Sequence, residues 1–170
     1  MVKNVYAWYN AVSIGRGNAV MDREIYVSGS WSAADVELLK TEFALFNHRS
    51  VVRFACDCAE RACRRSSADR RCYAAILAAR GWADGLFREA KVRAAAAAAL
   101  EAAREAGVSA AQLACRSAGH AAETVRATRN AVAAADCAAK AAPDPREERA
   151  WQYAHLLSML QTMPDGLPKL

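Results

Sequence analysis

Alanine supplies 42 of the 170 residues, and nothing else in the chain restricts its fold as much. A buried methyl removes little area from water beside leucine or phenylalanine, so a core built from it must collect many thin contacts. Alanine also has the highest intrinsic helix propensity and lets helix axes approach closely. These properties favour tightly packed helices over sheets and predict an all-α fold. At 170 residues the chain fits one domain and can bury a continuous core without a stabilising metal or disulfide.

The punctuation agrees from residue 32 onward. Ser32 with Asp35 reads as an N-cap opening a helix through Phe46, with Val36, Leu39, Phe43 and Phe46 at helical spacing. A second helix is predicted from His48 to Arg65, with Val51, Val52, Ala55, Ala59 and Ala62 along one stripe. Ser66 and Ser67 end it or cap a third helix carrying Cys72, Tyr73, Ile76, Ala79 and Ala83, whose end Gly81 and Gly85 mark. A fourth runs from Leu86 to Ala106 and closes at Gly107, and Ser109 with Gln112 opens the next pattern, which extends to Ala142 before Pro143. Gly119 is expected to kink or divide that pattern, because glycine costs about 1 kcal/mol relative to alanine inside a helix. Asp144-Pro145-Arg146-Glu147 starts a last helix, docked by Trp151, Ala154, Leu157 and Met159. The expectation is a single-domain, alanine-rich bundle of six or seven helices over residues 32–163, with a tail at 164–170.

Residues 1–31 differ. They hold Tyr6, Trp8, Tyr9, Tyr26 and Trp31, with β-prone runs at Val2 to Ile14 and Glu24 to Val27 around Gly15-Arg16-Gly17-Asn18. An N-terminal arm or short β-hairpin is predicted, covering the helices or presenting a partner surface. No helix pattern follows the glycines, so they read as a turn and not as a phosphate loop.

The formal charge of +5 is concentrated in residues 60–93, where nine Lys/Arg meet four acids. A basic surface there, with Arg61, Arg64, Arg70, Arg71 and Arg80 as candidate partner-binding residues, would suit an acidic protein or nucleic acid. The competing reading is a solvated face with local ion pairs, because Asp57/Arg61, Glu60/Arg64, Arg80/Asp84 and Glu89/Arg93 each stand four residues apart.

No stretch is apolar enough to span a bilayer, and the N-terminus lacks the apolar region of a secretion signal, so a cytoplasmic protein is expected. In that compartment all six cysteines (Cys56, Cys58, Cys63, Cys72, Cys115, Cys137) are expected as thiols in small buried positions. The Cys-x-Cys at Cys56 and Cys58 has no second knuckle to complete a zinc site with Cys63 or Cys72, so neither metal nor cofactor is expected. His48, His120 and His155 carry no recognisable catalytic signature. Cys115 and His120, five residues apart, fall on different helix faces. His120, beside Gly119, reads as a buried histidine hydrogen-bonded between close helices. The chain is therefore expected not to be an enzyme.

Four ordered segments then point to a family: Phe54-Ala55-Cys56-Asp57-Cys58-Ala59-Glu60-Arg61, Ala78-Ala79-Arg80-Gly81-Trp82-Ala83-Asp84-Gly85, Ala118-Gly119-His120-Ala121 and Cys137-Ala138-Ala139-Lys140-Ala141. Together they resemble the immunity proteins of bacterial polymorphic toxin systems, in the fifth immunity family and its relatives. The resemblance spans roughly residues 50–142. It implies an all-helical cytosolic protein that binds and neutralises a cognate protein toxin, with Asp57, Cys58, Glu60, Trp82, Gly85, Gly119 and His120 as motif residues of structural use. Relatives often place further histidines one and two turns after the Gly-His pair, where this chain has Arg126 and Asn130. The alternative function is a nucleic-acid-binding or regulatory helical protein, for which the chain lacks a DNA-binding signature or an aromatic stacking motif. A metal-dependent enzyme stands third, and self-association is left open.

Overall fold

The computed structural model describes residues 46–161. The N-terminal arm or hairpin, the helix opening at Ser32 and the tail at 164–170 lie outside the described residues, except that Phe46 is buried. Six helices follow: α1 (His48–Ser66), α2 (Arg70–Ala83), α3 (Glu89–Glu105), α4 (Ala110–Glu123), α5 (Asn130–Ala141) and α6 (Pro145–Gln161). No strand occurs among the described residues, and none of their helices is long and apolar enough to cross a membrane.

The helix starts are set by side chains that accept from otherwise orphaned amides. Asn47 accepts from the Ser50 amide, Asp69 from that of Arg71 and Ser109 from that of Gln112. The Asp144 carboxylate takes both the Arg146 and Glu147 amides, at 2.8 and 3.3 Å. Ser67, left-handed at φ 51°, ends α1. Gly85 and Gly107 occupy the corresponding region after α2 and α3, at φ 78° and 62°.

The pattern from Ser109 to Ala142 is divided, though not at Gly119, which sits inside α4. The break falls at 124–129, where the Thr124 hydroxyl donates to the His120 carbonyl and the Asn130 side-chain amide donates to that of Glu123. These side chains satisfy the last carbonyls of α4 and compete with continuation of the helix. Gly119 serves a different purpose. A Cβ placed on it would lie 2.5 Å from Leu100 Cδ2, so the missing side chain is the seat for Leu100 of α3.

Helix α4 is the centre of the bundle and packs on α1, α2, α3 and α5, while α6 lies against α5 and α1. Around its Ala114, Ala118, Ala121 and Ala122 the larger core side chains are Val51, Val52 and Phe54 of α1, Ile76 of α2 and Val92 of α3. The face of α6 is the exception to apolar docking. Glu148, Gln152 and Leu156, spaced by four, are each 1% exposed, whereas Ala154, expected at the contact, is exposed. Trp151 and Met159 pack half-buried against the core. Gln152 is accommodated because it donates to the Ala135 carbonyl of α5 at 2.9 Å.

The expectation of six thiols is also corrected. Cys72 of α2 and Cys115 of α4 form a disulfide with Cα atoms 5.3 Å apart, leaving Cys56, Cys58, Cys63 and Cys137 as buried thiols. Both partners sit on the buried stripes that join α2 to α4, a juxtaposition that a sequence separation of 43 does not reveal. Burial pushes the thiols of Cys56 and Cys63 up to about 12, against the opposing charge of Arg80 at Cys56, and holds that of Cys58 well above its ordinary value.

Candidate functional site

Arginines and acids of α1 recur at positions 53, 57, 60, 61 and 64, which the helical period brings to one side of α1, between α2 and α6. Of the four ion pairs expected at four-residue spacing, Glu60/Arg64 and Glu89/Arg93 form, at 2.5 and 3.7 Å. The other two are replaced by pairs between helices. Arg80 of α2 reaches across to Asp57 and Glu60, each at 2.6 Å, and Asp84 turns instead to Arg53 at 2.5 Å. Asp57 uses its second oxygen for His155 of α6, at 2.8 Å. Burial raises the Asp57 carboxyl, but the hydrogen bonds from His155 and Arg80, with their charges, outweigh it and hold the group below its ordinary range. The same balance lowers Glu60, through Arg80 and then Arg64.

Arg61 meets Glu148 of α6 by a two-nitrogen contact, Nε to Oε1 at 3.1 Å and Nη2 to Oε2 at 3.0 Å, and Arg65 adds a bond of 2.5 Å to the same carboxylate. The Arg61 guanidinium lies 3.8 Å over the Trp151 ring, and Trp151 stacks on His155 at 4.8 Å. Arg61 and Arg65 thus hold α6 on α1 through the buried Glu148 carboxylate, with Trp151 beneath Arg61 and a separate bond from His155 to Asp57. Planar guanidinium suits both the paired oxygens and the ring face.

Of the candidate partner-binding residues, Arg61, Arg64 and Arg80 therefore converge. Arg70 and Arg71 do not, since they stand at the other end of α2, about 15 Å along the helix. Arg71 pairs with Asp69 and with Glu105 of α3, and Arg70 is exposed. The motif residues divide likewise. Asp57 and Glu60 join the network, and Cys58 is buried in the core. Trp82 packs on His48, which donates to the Thr124 carbonyl at 2.8 Å, and Gly85 supplies the turn after α2. His120 departs from expectation. Its side chain is 24% exposed and its Nδ1, without a hydrogen bond, lies 3.4 Å from Glu123 in the same helix. The close helix contact at that motif belongs to Gly119, one residue earlier, while the His120 ring is half-buried with its Nδ1 shielded from solvent.

A second region lies along α3 and α4. Leu100, seated on Gly119, stands between two hollows along the α3–α4 seam, of about 310 and 270 Å³. Ala96, Ala97 and Val125 line the larger, together with Arg126. Gln112, Arg116 and His120, spaced by four on α4, line the smaller. The available signal was the periodicity of those three polar residues along an otherwise apolar helix. Among the described residues no group of three or more His, Cys, Asp or Glu is placed to hold a metal ion.

These features define an all-α bundle with a pinned, ion-paired face and an open groove beside its central helix. The family model described as Imm-5 like putative immunity protein matches residues 41–159, and the chain belongs to that family. No curated protein and no solved structure matches it.

Proposed function

We propose that the protein binds a cognate bacterial toxin and neutralises it in the cell that makes both. Family membership over residues 41–159 carries this reading. The pairing of the arginines supports it over the nucleic-acid alternative, because six of the nine cations in residues 60–93 meet carboxylates of the chain itself. Fewer free charges remain there to replace the counterions of a polyanion. The protein acts by occupying its partner, one molecule to one, and not by turnover.

The test is co-expression with the toxin domain encoded beside this chain's gene. Cells should survive only when both are made, and protection in titration should saturate at equal amounts. Protection at a small fraction of the toxin concentration would replace binding by catalysis. Absence of both protection and binding, with tight oligonucleotide binding at physiological salt, would replace the toxin by nucleic acid.

A further inference from the structure

We propose that the toxin docks in the α3–α4 groove, setting an apolar side chain against Leu100 and a carboxylate against Arg116. This rests on the immunity reading and specifies the surface that performs it. Concavity and charge coincide in this groove. Its two hollows are floored by alanine, so a partner's side chain can reach the helix backbones where longer residues would keep it out. Leu100 between them is held by its seat on Gly119 and offers a fixed apolar ridge, the kind of element around which interface energy concentrates.

The groove charges favour an acidic occupant. Arg93 pairs with Glu89 and Arg104 with Glu101, so these four largely cancel. Glu123 lines the larger hollow with Arg126 and offsets its charge there. Arg116 remains in the smaller hollow, exposed and without a carboxylate partner among the described residues. A carboxylate brought to Arg116 next to apolar contacts would be partly desolvated, where a charge-assisted pair is strongest. By contrast Arg61, Arg65 and Arg80 already hold carboxylates, and recruiting them would break contacts that fix α6 and α2 to α1.

The experiment measures dissociation constants for the toxin-domain protein encoded by the adjacent gene, in an inactive form, against four variants whose folding is checked by circular dichroism. Arg116→Glu should weaken binding by about 30-fold or more, the cost typical of removing one partner from a desolvated charge pair. Ala97→Leu, which fills the larger hollow from an exposed position, should weaken it by about tenfold. Arg146→Glu, an exposed charge on α6 away from the groove, should stay within about threefold, as surface charges do. Full binding by Arg116→Glu and Ala97→Leu, with loss in Arg64→Glu, would overturn the groove while leaving the immunity reading standing. No binding by the unaltered protein would overturn the immunity reading itself. A dimer in analytical ultracentrifugation that Ala97→Leu dissociates, with toxin binding intact, would assign the groove to a second copy of this chain and also overturn the proposal.

Discussion

The α1–α2–α6 face and the α3–α4 face carry the same side-chain types and use them differently. On the first, Asp57, Glu60 and Glu148 each meet two basic partners, and every one of these pairs except Arg64–Glu60 bridges helices. On the second, the ion pairs are single and within one helix, Glu89/Arg93 and Glu101/Arg104. Pairs that bridge helices fix how elements sit, and removing one partner strands the rest. Pairs along one helix add a few tenths of a kcal/mol and leave the surface free to change partners. A charge count therefore locates basic sequence without locating basic surface.

The disulfide ties the two faces together, since Cys72 belongs to α2 and Cys115 to α4. Closing a loop over 43 positions of chain restricts the unfolded state by about 4 kcal/mol in the chain-entropy model, the largest single effect expected here. Cys72→Ser should lower stability to denaturant by that order, and reductant should do the same to the unaltered protein. Detection of six titratable thiols in the unreduced, denatured protein would remove this link between the faces.

Glu148→Gln should come next, at about 3 kcal/mol, because Arg61 and Arg65 lose a carboxylate that is 1% exposed. The matched change on the other face, Glu123→Gln, should stay within about 0.5 kcal/mol. Equal costs in urea titration would erase the distinction between the faces. Gly119→Ala opposes two terms of similar size: a helix-propensity gain of about 1 kcal/mol and a packing strain of about 1–3 kcal/mol against Leu100. A net loss is expected, and Leu100→Ala in the same chain should recover the propensity gain. Failure of that recovery in a double-mutant cycle would dissociate Gly119 from Leu100.

Acid should act on the first face. Asp57 and Glu60 are held below their ordinary values, so their contribution is fully present above the unfolded carboxylate range, about 4, and is lost as pH falls through the lower folded values. Asp57 is 30% exposed and its pairs are partly screened, which limits the effect to about 1 kcal/mol. Asp57→Asn should flatten the acid limb of melting temperature against pH. An unchanged limb would place the acid sensitivity elsewhere.

The helical bundle was legible in sequence because alanine propensity, apolar spacing and caps at Ser109 and Asp144 all act locally, within a few residues. What escaped was set by pairing between helices. Asp57/Arg61 has the spacing of a local pair, but Arg80 and Glu148, 23 and 87 positions away from Asp57 and Arg61, supply better geometry once the helices pack. Gly119 reads as a helix breaker until Leu100 is placed beside it. Glu148 carries no signal in the sequence until α1 brings its arginines, and the same missing neighbours shifted the docking stripe of α6 away from Ala154. Of the motif residues, Asp57 and Glu60 lie in the network between helices and Gly119 seats Leu100, while the hollows beside Leu100 left only a polar stripe on α4 as a trace.

The smallest expected effect separates packing from docking at adjacent alanines of α3. Ala97 is exposed and lines the larger hollow, whereas Ala98 is half-buried. Leucine at Ala98 must fit its added carbons against a neighbouring element, where strain costs typically reach about 1–3 kcal/mol in full burial and less at such a margin. Leucine at Ala97 extends into the groove and should change stability by no more than about 0.5 kcal/mol. Thermal melts of the two variants measure this directly. A loss at Ala97 comparable to that at Ala98 would mean that the groove is closed by other parts of the bundle in solution, and the contrast between a pinned face and an open one would then fail at the side assigned to the partner.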